Sequence, residues 1–161
     1  MASNKSKILS SDQNRTIKLL PLLSYKSILV IIDKAEQIRH NQLHHTFPSA
    51  EFTFLTIRTE RQDKSSGKNY TFHSGDKRFG KVKNDRLLTL LSLQFDLLMD
   101  LSHNKNLKYF CRNVPANLKA GCFNSDSNYN LDLLVNNRGT VENLIDGIAE
   151  QIHKLTLNNK E

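Results

Sequence analysis

Long apolar runs alternate along the chain with polar stretches that have helical spacing. Residues 27–33 (SILVIID) form a continuous, largely β-branched run, which is typical of a strand buried on both faces. Residues 51–58 (EFTFLTIR) and 94–101 (QFDLLMDL) predict two further strands. With a helix over residues 34–46, the first two strands have the size of a right-handed βαβ unit.

The second half of the chain continues the alternation of strands and helices. A helix is predicted over residues 84–93, and another over 103–113 with Ser102 as its N-cap. Short strands are predicted at 119–123 and 131–135, with a turn-rich loop over 124–130 between them. Thr140 is expected to cap a last amphipathic helix that ends near Leu155.

This order of elements predicts an α/β fold, a three-layer sandwich. Its mostly parallel, Rossmann-like sheet is expected to have about five strands, with helices on both faces. The strands at 27–33, 51–58 and 94–101 should be central and parallel. We expect residues 1–15 to form a mobile basic tail and residues 16–161 to form a single domain. No apolar run reaches the length of a membrane span.

The amino-acid composition gives the chain a net positive charge. The net charge of the 161 residues is +7, and residues 58–86 carry nine basic side chains against four acidic ones. Such an excess of positive charge could bind nucleic acid, an anionic lipid surface or a phosphorylated ligand. The simplest interpretation is a solvated, lysine-rich surface. Two cysteines, Cys111 and Cys122, cannot form a disulfide framework and favour a reducing, cytoplasmic setting, with a single bridge as the alternative.

Polar side chains follow the first and third of these strands at the edge where a parallel sheet binds ligands. Asp33 ends the first strand, and Asp100 lies close to Ser102 and His103 at the end of the third. If the two strands are neighbours, these side chains converge on one crevice, which predicts a small polar ligand contacting Asp33, Asp100 and Ser102, with His103 at the rim. The alternative is that the Asp and Ser residues only cap helices.

Other chemistries find little support in the residue patterns. His40 and His44 are four residues apart on a predicted helix, but no third zinc ligand accompanies them, so a solvated helix face is favoured and no metal is expected. No glycine-rich dinucleotide or phosphate-binding motif and no catalytic serine motif occurs. We therefore expect no cofactor and no catalytic residue.

Residues 59–83 predict a long surface excursion with an edge strand near 69–73. Its basic residues interleave with Tyr70, Phe72 and Phe79, a mixture that single-stranded nucleic acid binders use. Tyr70 and Phe72 also fit the inward face of a half-buried strand, which is the interpretation that their alternation favours.

Several segments resemble a family of short, uncharacterised bacterial proteins known only as a domain of unknown function. They are SILVIID (27–33), FHSGDKRFGKVKN (72–84), QFDLLMDLS (94–102), LKAGCF (118–123) and the closing helix. More distantly, residues 95–123 are similar to the N-terminal half-domain of heptosyltransferase-type glycosyltransferases. That resemblance implies a Rossmann-like fold, but 161 residues leave no room for a second, nucleotide-sugar-binding domain, and Asp33, Lys34 and Ala35 stand where those enzymes have a glycine-rich turn.

The hypothesis from sequence is a non-enzymatic cytoplasmic α/β protein that binds a small polar ligand or a protein partner. Two alternatives stay open. One is a reduced transferase-like enzyme acting on a phosphorylated or sugar substrate, and the other is a weak nucleic-acid binder that uses residues 58–86.

Overall fold

The computed structural model describes residues 15–122, 131–136 and 139–159. Its strands are β1 (Ser27–Ile31), β2 (Glu51–Ile57), β3 (Asn69–Phe72), β4 (Lys77–Arg78), β5 (Lys81–Val82), β6 (Phe95–Asp100), β7 (Ala116–Cys122) and β8 (Leu133–Val135). Its α-helices are α1 (His40–Thr46), α2 (Asp85–Ser92), α3 (Lys108–Asn113) and α4 (Val141–Asn158).

Six of the strands form one parallel sheet in the order β3-β2-β1-β6-β7-β8. Six strands agree with the prediction of about five, and the central, parallel placement of β1, β2 and β6 is confirmed. This order is that of doubly wound Rossmann folds, with the reversal of direction between β1 and β6. The remaining two strands, β4 and β5, form a separate antiparallel hairpin.

Apolar side chains cover both faces of the sheet, which confirms the three-layer sandwich. On one face Ile28, Val30 and Ile32 belong to a core with residues of α1 and α4. On the other face Leu29 and Ile31 belong to a core with residues of α2 and α3. The continuous apolar run of β1 follows from this arrangement, because both sides of the strand are buried.

The last helix forms as its pattern predicts. The hydroxyl oxygen of Thr140 accepts a hydrogen bond from the amide of Asn143, which caps α4. The predicted apolar stripe is buried at four of its positions, namely Leu144, Ile145, Ile148 and Ile152. Leu155 is exposed, and the helix continues three residues beyond it.

Two predicted helices are interrupted near their starts. The helix predicted over 34–46 is a 3₁₀ turn at Ala35–Gln37 followed by α1, because Ile38 adopts an extended backbone conformation between them. Ser102 is not an N-cap, contrary to prediction. The side chain of Asn104 caps a 3₁₀ turn at Lys105–Leu107 instead, and α3 begins only after that turn.

The excursion after β2 contains the edge strand that its alternation predicts. Tyr70 and Phe72 of β3 are buried, so they serve the core and are not stacking platforms. Residues 58–68, which connect β2 to β3, contain no helix. Residues 1–14 of the predicted tail and the predicted loop over 124–130 lie outside the described residues. Arg15, the last residue of the predicted tail, forms an ion pair with Asp132.

Candidate functional site

The carboxyl ends of β1 and β6 lie side by side in the middle of the sheet. Ile31 and Asp100 are register partners, and the amide of Leu101 donates to the carbonyl oxygen of Ile31 at 2.8 Å. The loops that follow these strands therefore meet at the point where the strand order reverses. This is the edge at which the sequence places Asp33, Asp100, Ser102 and His103.

The carboxylate of Asp33 binds the loop after β6. It accepts hydrogen bonds from the amide of His103 at 3.0 Å and from the amide of Asn104 at 3.2 Å. These are the N–H groups that an external anion would need at this edge. Asp33 thus holds the two loops together at the point where the strand order reverses. The backbone amides that an external anion would bind already have an anionic partner, the carboxylate of Asp33.

Asp100 is held in a buried network of its own. One carboxylate oxygen accepts from the hydroxyl of Ser102 at 2.6 Å and from its amide at 3.1 Å. The other accepts from the ammonium group of Lys108 at 2.6 Å, and Lys108 also donates to the carbonyl oxygen of Ser102 at 2.9 Å. Asp100 is 2% exposed and Ser102 6% exposed, so neither side chain reaches a ligand directly in this conformation.

The two cysteines lie near this network and stay protonated. Burial, and then the negative charge of Asp100, raise the pKa of the Cys111 thiol well above its usual value, although Lys108 opposes them. Burial also raises the pKa of Cys122. Neither thiol has the lowered pKa of a reactive nucleophile.

His103 is exposed beside a small cleft on the α4 side of the switch point. The cleft has a volume of about 400 Å³, and its lining includes Gln37, Arg39 and the first turn of α4. Arg39 forms an exposed ion pair with Glu142 across this region. Of the four side chains predicted to share one crevice, the structure places only His103 at an open surface, with Asp33 partly exposed between the two loops.

A larger cleft, of about 670 Å³, lies on the other side of the loop after β1. Thr56 of β2 and Thr71 of β3 are register partners, and both line this cleft together with residues 34–36, 57–60, 62, 64 and 65. The cleft occupies the carboxyl edge of β1, β2 and β3. The connection from β2 to β3 contains no helix, and α2, which follows β5, packs against β3 instead.

A buried ion pair supports one wall of this cleft. The guanidinium group of Arg58 donates to both carboxylate oxygens of Asp76, at 2.6 and 2.8 Å, and to the carbonyl oxygens of Thr71 and Arg61, each at 2.9 Å. The Nε–H group of Arg58 is buried and has no hydrogen-bond partner within the described part of the chain. Burial alone raises the pKa of Asp76, but Arg58 and the amide of His73 bring it below its ordinary value.

Asp63 extends this network along the excursion. Its carboxylate accepts hydrogen bonds from the hydroxyl and the amide of Ser65, from the amide group of Asn84, and from the hydroxyl of Thr71. Burial raises the pKa of Asp63, but these hydrogen bonds, together with the nearby charge of Arg58, lower it to about 2. The irregular connection is therefore fixed by polar contacts where a helix would ordinarily supply apolar ones.

Sequence reasoning missed this wall. Arg58, Asp63 and Asp76 look like ordinary surface charges in a basic segment, and only the strand end at Arg58 hints at a position near the sheet edge. The histidines of α1 have packing partners, since the rings of His40 and His44 lie edge-on to Phe54 and Phe52. Among the described residues, no group of three His, Cys, Asp or Glu side chains is arranged to hold a metal ion.

Comparison with known proteins places the chain in a family but adds no activity. Within the described ranges, no helix combines the length and the apolar character that crossing a membrane requires. No curated protein and no solved structure matches the chain, so the resemblance to heptosyltransferases receives no support. The model of a protein family described as "Family of unknown function (DUF6913)" matches residues 2–155. The chain therefore belongs to this family of unknown function, DUF6913.

Proposed function

We propose that this protein binds a small, polar, hydroxyl-rich ligand of the size of a nucleoside or a sugar in the 670 Å³ cleft, and that it acts by binding and not by catalysis. The observation that carries the proposal is the cleft itself, at the carboxyl edge of a sheet with Rossmann strand order. Its volume falls within the roughly 300–1,000 Å³ of small-molecule sites.

The lining of the cleft suits a ligand with many hydrogen-bonding groups and little net charge. Four hydroxyl side chains and one amide line it, namely Thr56, Thr59, Ser65, Thr71 and Gln62. The acidic side chains of Glu36 and Glu60 offset the basic side chains of Lys34 and Lys64. The positive charge of Arg58 is already matched by Asp76, so the cleft has no strong preference for an anion.

In this proposal Asp33 positions one wall of the cleft. Its carbonyl oxygen accepts from the amide of Ile57 at 3.1 Å, while its carboxylate binds the loop after β6. The residues that follow it, Lys34, Ala35 and Glu36, are thereby held against the end of β2. The loop after β6 holds Asp33 from the other side through the amide of His103, and the bond between Asp100 and Ser102 fixes the start of that loop, so these three residues position the ligand site indirectly.

The absence of catalysis is proposed from the state of the reactive groups at this edge. Asp33 and Asp100 are both engaged in hydrogen bonds, and the thiol of Cys111 is buried and protonated. None of these three groups is poised as a nucleophile or a general base.

The test is a thermal-shift screen with four classes of compound: nucleosides, free sugars, sugar phosphates and nucleotide sugars. A ligand at 100 times its Kd stabilises the folded state by about 2.7 kcal/mol. For a domain of this size that corresponds to a rise in Tm of about 5–10 °C. We expect a nucleoside or a sugar to raise Tm, and calorimetry then gives its Kd.

The Ala35→Trp variant locates the site. Ala35 is exposed and lines the cleft, so an indole at this position fills the cleft without disturbing the core. We expect at least a tenfold loss of affinity, about 1.4 kcal/mol. Leu88→Trp, at an exposed position on α2, is the matched control and should bind as the wild type does. Unchanged affinity in Ala35→Trp, or no shift with any of the four classes at millimolar concentration, contradicts the proposal.

A further inference from the structure

The hairpin of β4 and β5 ends in an aromatic residue, Phe79, that buries none of its surface. Its two-residue turn consists of Phe79 and Gly80, with φ angles of 52° and 77°. Two positive φ angles are characteristic of a type I′ hairpin turn, which favours Asn, Asp or Gly at the first position. A phenylalanine there is strained, and Phe79 is 100% exposed, so no buried area offsets the strain.

Exposed cations flank this turn in the sequence. Arg78, Lys81 and Lys83 are exposed on the same hairpin, and none of them forms an ion pair within the ranges that the structure describes. The largest excess of positive charge in the chain, in residues 58–86, thus includes an exposed aromatic ring at a tip.

A concave surface lies next to the hairpin. A cleft of about 390 Å³ is lined by the side chains of Arg61, Arg78, His73 and Ser74, together with Gly75 and Asp76. The one acidic residue in this lining, Asp76, is neutralised by Arg58. The cleft therefore presents two guanidinium groups and a hydroxyl, a combination that suits a phosphate group.

The base of the hairpin is firmly held, so the ring and the cleft keep their relative position. Val82 is buried, the amide of Lys83 donates to the carbonyl oxygen of Asp76 at 2.7 Å, and the ammonium group of Lys77 lies 4.2 Å from the centre of the Tyr109 ring. A rigid surface of this kind loses little conformational entropy when it binds a partner.

We propose that this hairpin and the adjoining cleft bind single-stranded nucleic acid, with a base stacked on Phe79 and a neighbouring phosphate between Arg61 and Arg78. Single-strand binders combine an aromatic face with cations that follow the backbone, and an unpaired base leaves its face open for stacking. The concave cleft favours a polymer with discrete phosphates over a flat membrane, whose headgroups would reach only the convex tip. This proposal is independent of the ligand in the 670 Å³ cleft.

The experiment measures the binding of a fluorescein-labelled single strand of about 12 nucleotides by fluorescence anisotropy, at salt concentrations from about 50 to 200 mM. Phe79→Asn removes the ring and places a residue suited to the turn, so the variant should fold at least as well as the wild type. We expect its affinity to fall roughly tenfold, with the dependence on salt unchanged.

The double variant Arg61→Ala, Arg78→Ala removes both cations at the proposed phosphate. Its plot of log affinity against log salt should be shallower by about 0.7, because one phosphate contact with a single strand contributes about that much to the slope. The matched control is Lys18→Ala, Lys26→Ala, two exposed lysines outside the hairpin region. It should leave the affinity at the hairpin site within about twofold of the wild type, a change below the free-energy scatter of ordinary surface substitutions.

Three outcomes overturn the proposal. One is no binding of the oligonucleotide at low salt. Another is binding that is the same for Phe79→Asn as for the wild type, which would place the contact elsewhere on this basic chain. The third is binding to vesicles containing phosphatidylserine, lost in Phe79→Asn, without binding to the oligonucleotide, which would make the hairpin a membrane contact.

Discussion

Replacing Arg58 by methionine tests whether polar contacts hold the connection between β2 and β3. The substitution keeps the length of the aliphatic stem and removes the guanidinium group. It abolishes two hydrogen bonds to Asp76, at 2.6 and 2.8 Å, and two to backbone carbonyl oxygens. The side chains of the pair are 9% and 11% exposed, so the carboxylate of Asp76 is left largely buried without its counter-charge.

The expected loss of stability follows from this geometry. Removing one partner of a buried ion pair costs about 3–5 kcal/mol. Asp76 retains hydrogen bonds from the amide of His73 at 2.9 Å and from Asn84 at 3.4 Å, and it lines the open 390 Å³ cleft, which admits water. We therefore expect the lower limit, about 3 kcal/mol. In a domain of this size that lowers Tm by about 6–12 °C.

Urea denaturation followed by circular dichroism measures the effect, in a double-mutant cycle with Asp76→Asn. The coupling energy between the two positions should be about 2 kcal/mol, because the neutral Asn no longer needs a counter-charge. A coupling energy below about 0.5 kcal/mol refutes the reasoning, since surface pairs already reach that value. In that case the wall of the cleft is held by something other than this ion pair.

The same variant has a signature in pH. The pKa of Asp76 is lowered in the folded protein, so the carboxylate contributes stability above its ordinary pKa, and that stability is lost as pH falls through the folded pKa. In Arg58→Met, burial is no longer opposed by a positive charge. We expect the loss of stability below about pH 4 to be smaller in the variant than in the wild type.

Three other predictions concern separate parts of the molecule. Asp63→Asn should flatten the decline in stability of the wild type between about pH 4 and pH 2, because the lowered pKa of about 2 is removed; acid titration of folding checks this. Gly121→Ala should cost about 1–3 kcal/mol in urea denaturation, because the added Cβ would lie 3.1 Å from the carbonyl oxygen of Asp100; an unchanged midpoint contradicts it. With a thiol reagent at pH 8, Cys122 should react slowly and Cys111 only on unfolding, since burial raises both pKa values and Cys111 is 1% exposed; simultaneous reaction of both would show that the core opens readily.

The central strands and the last helix could be predicted from the sequence because their signals are local. The apolar run of β1 predicts a strand that is buried on both faces. The N-cap at Thr140 and the spacing of Ile145, Ile148 and Ile152 predict a helix that packs one face against a core. The burial of Tyr70 and Phe72 could be predicted in the same way, from simple alternation. Each of these patterns depends on residues that are close together in the chain.

The candidate sites required the tertiary structure. The sequence indicates that Asp33 and Asp100 lie at one edge of the sheet. It does not reveal that the carboxylate of Asp33 binds the loop after β6 or that the carboxylate of Asp100 binds Lys108. Nor could it show that Arg58 pairs with Asp76, 18 residues away, or that Phe79 is left at an exposed tip. A local pattern records whether a position is buried and which conformation it prefers. Which distant charges meet, and where an irregular connection borders a cleft, depends on how remote segments pack together.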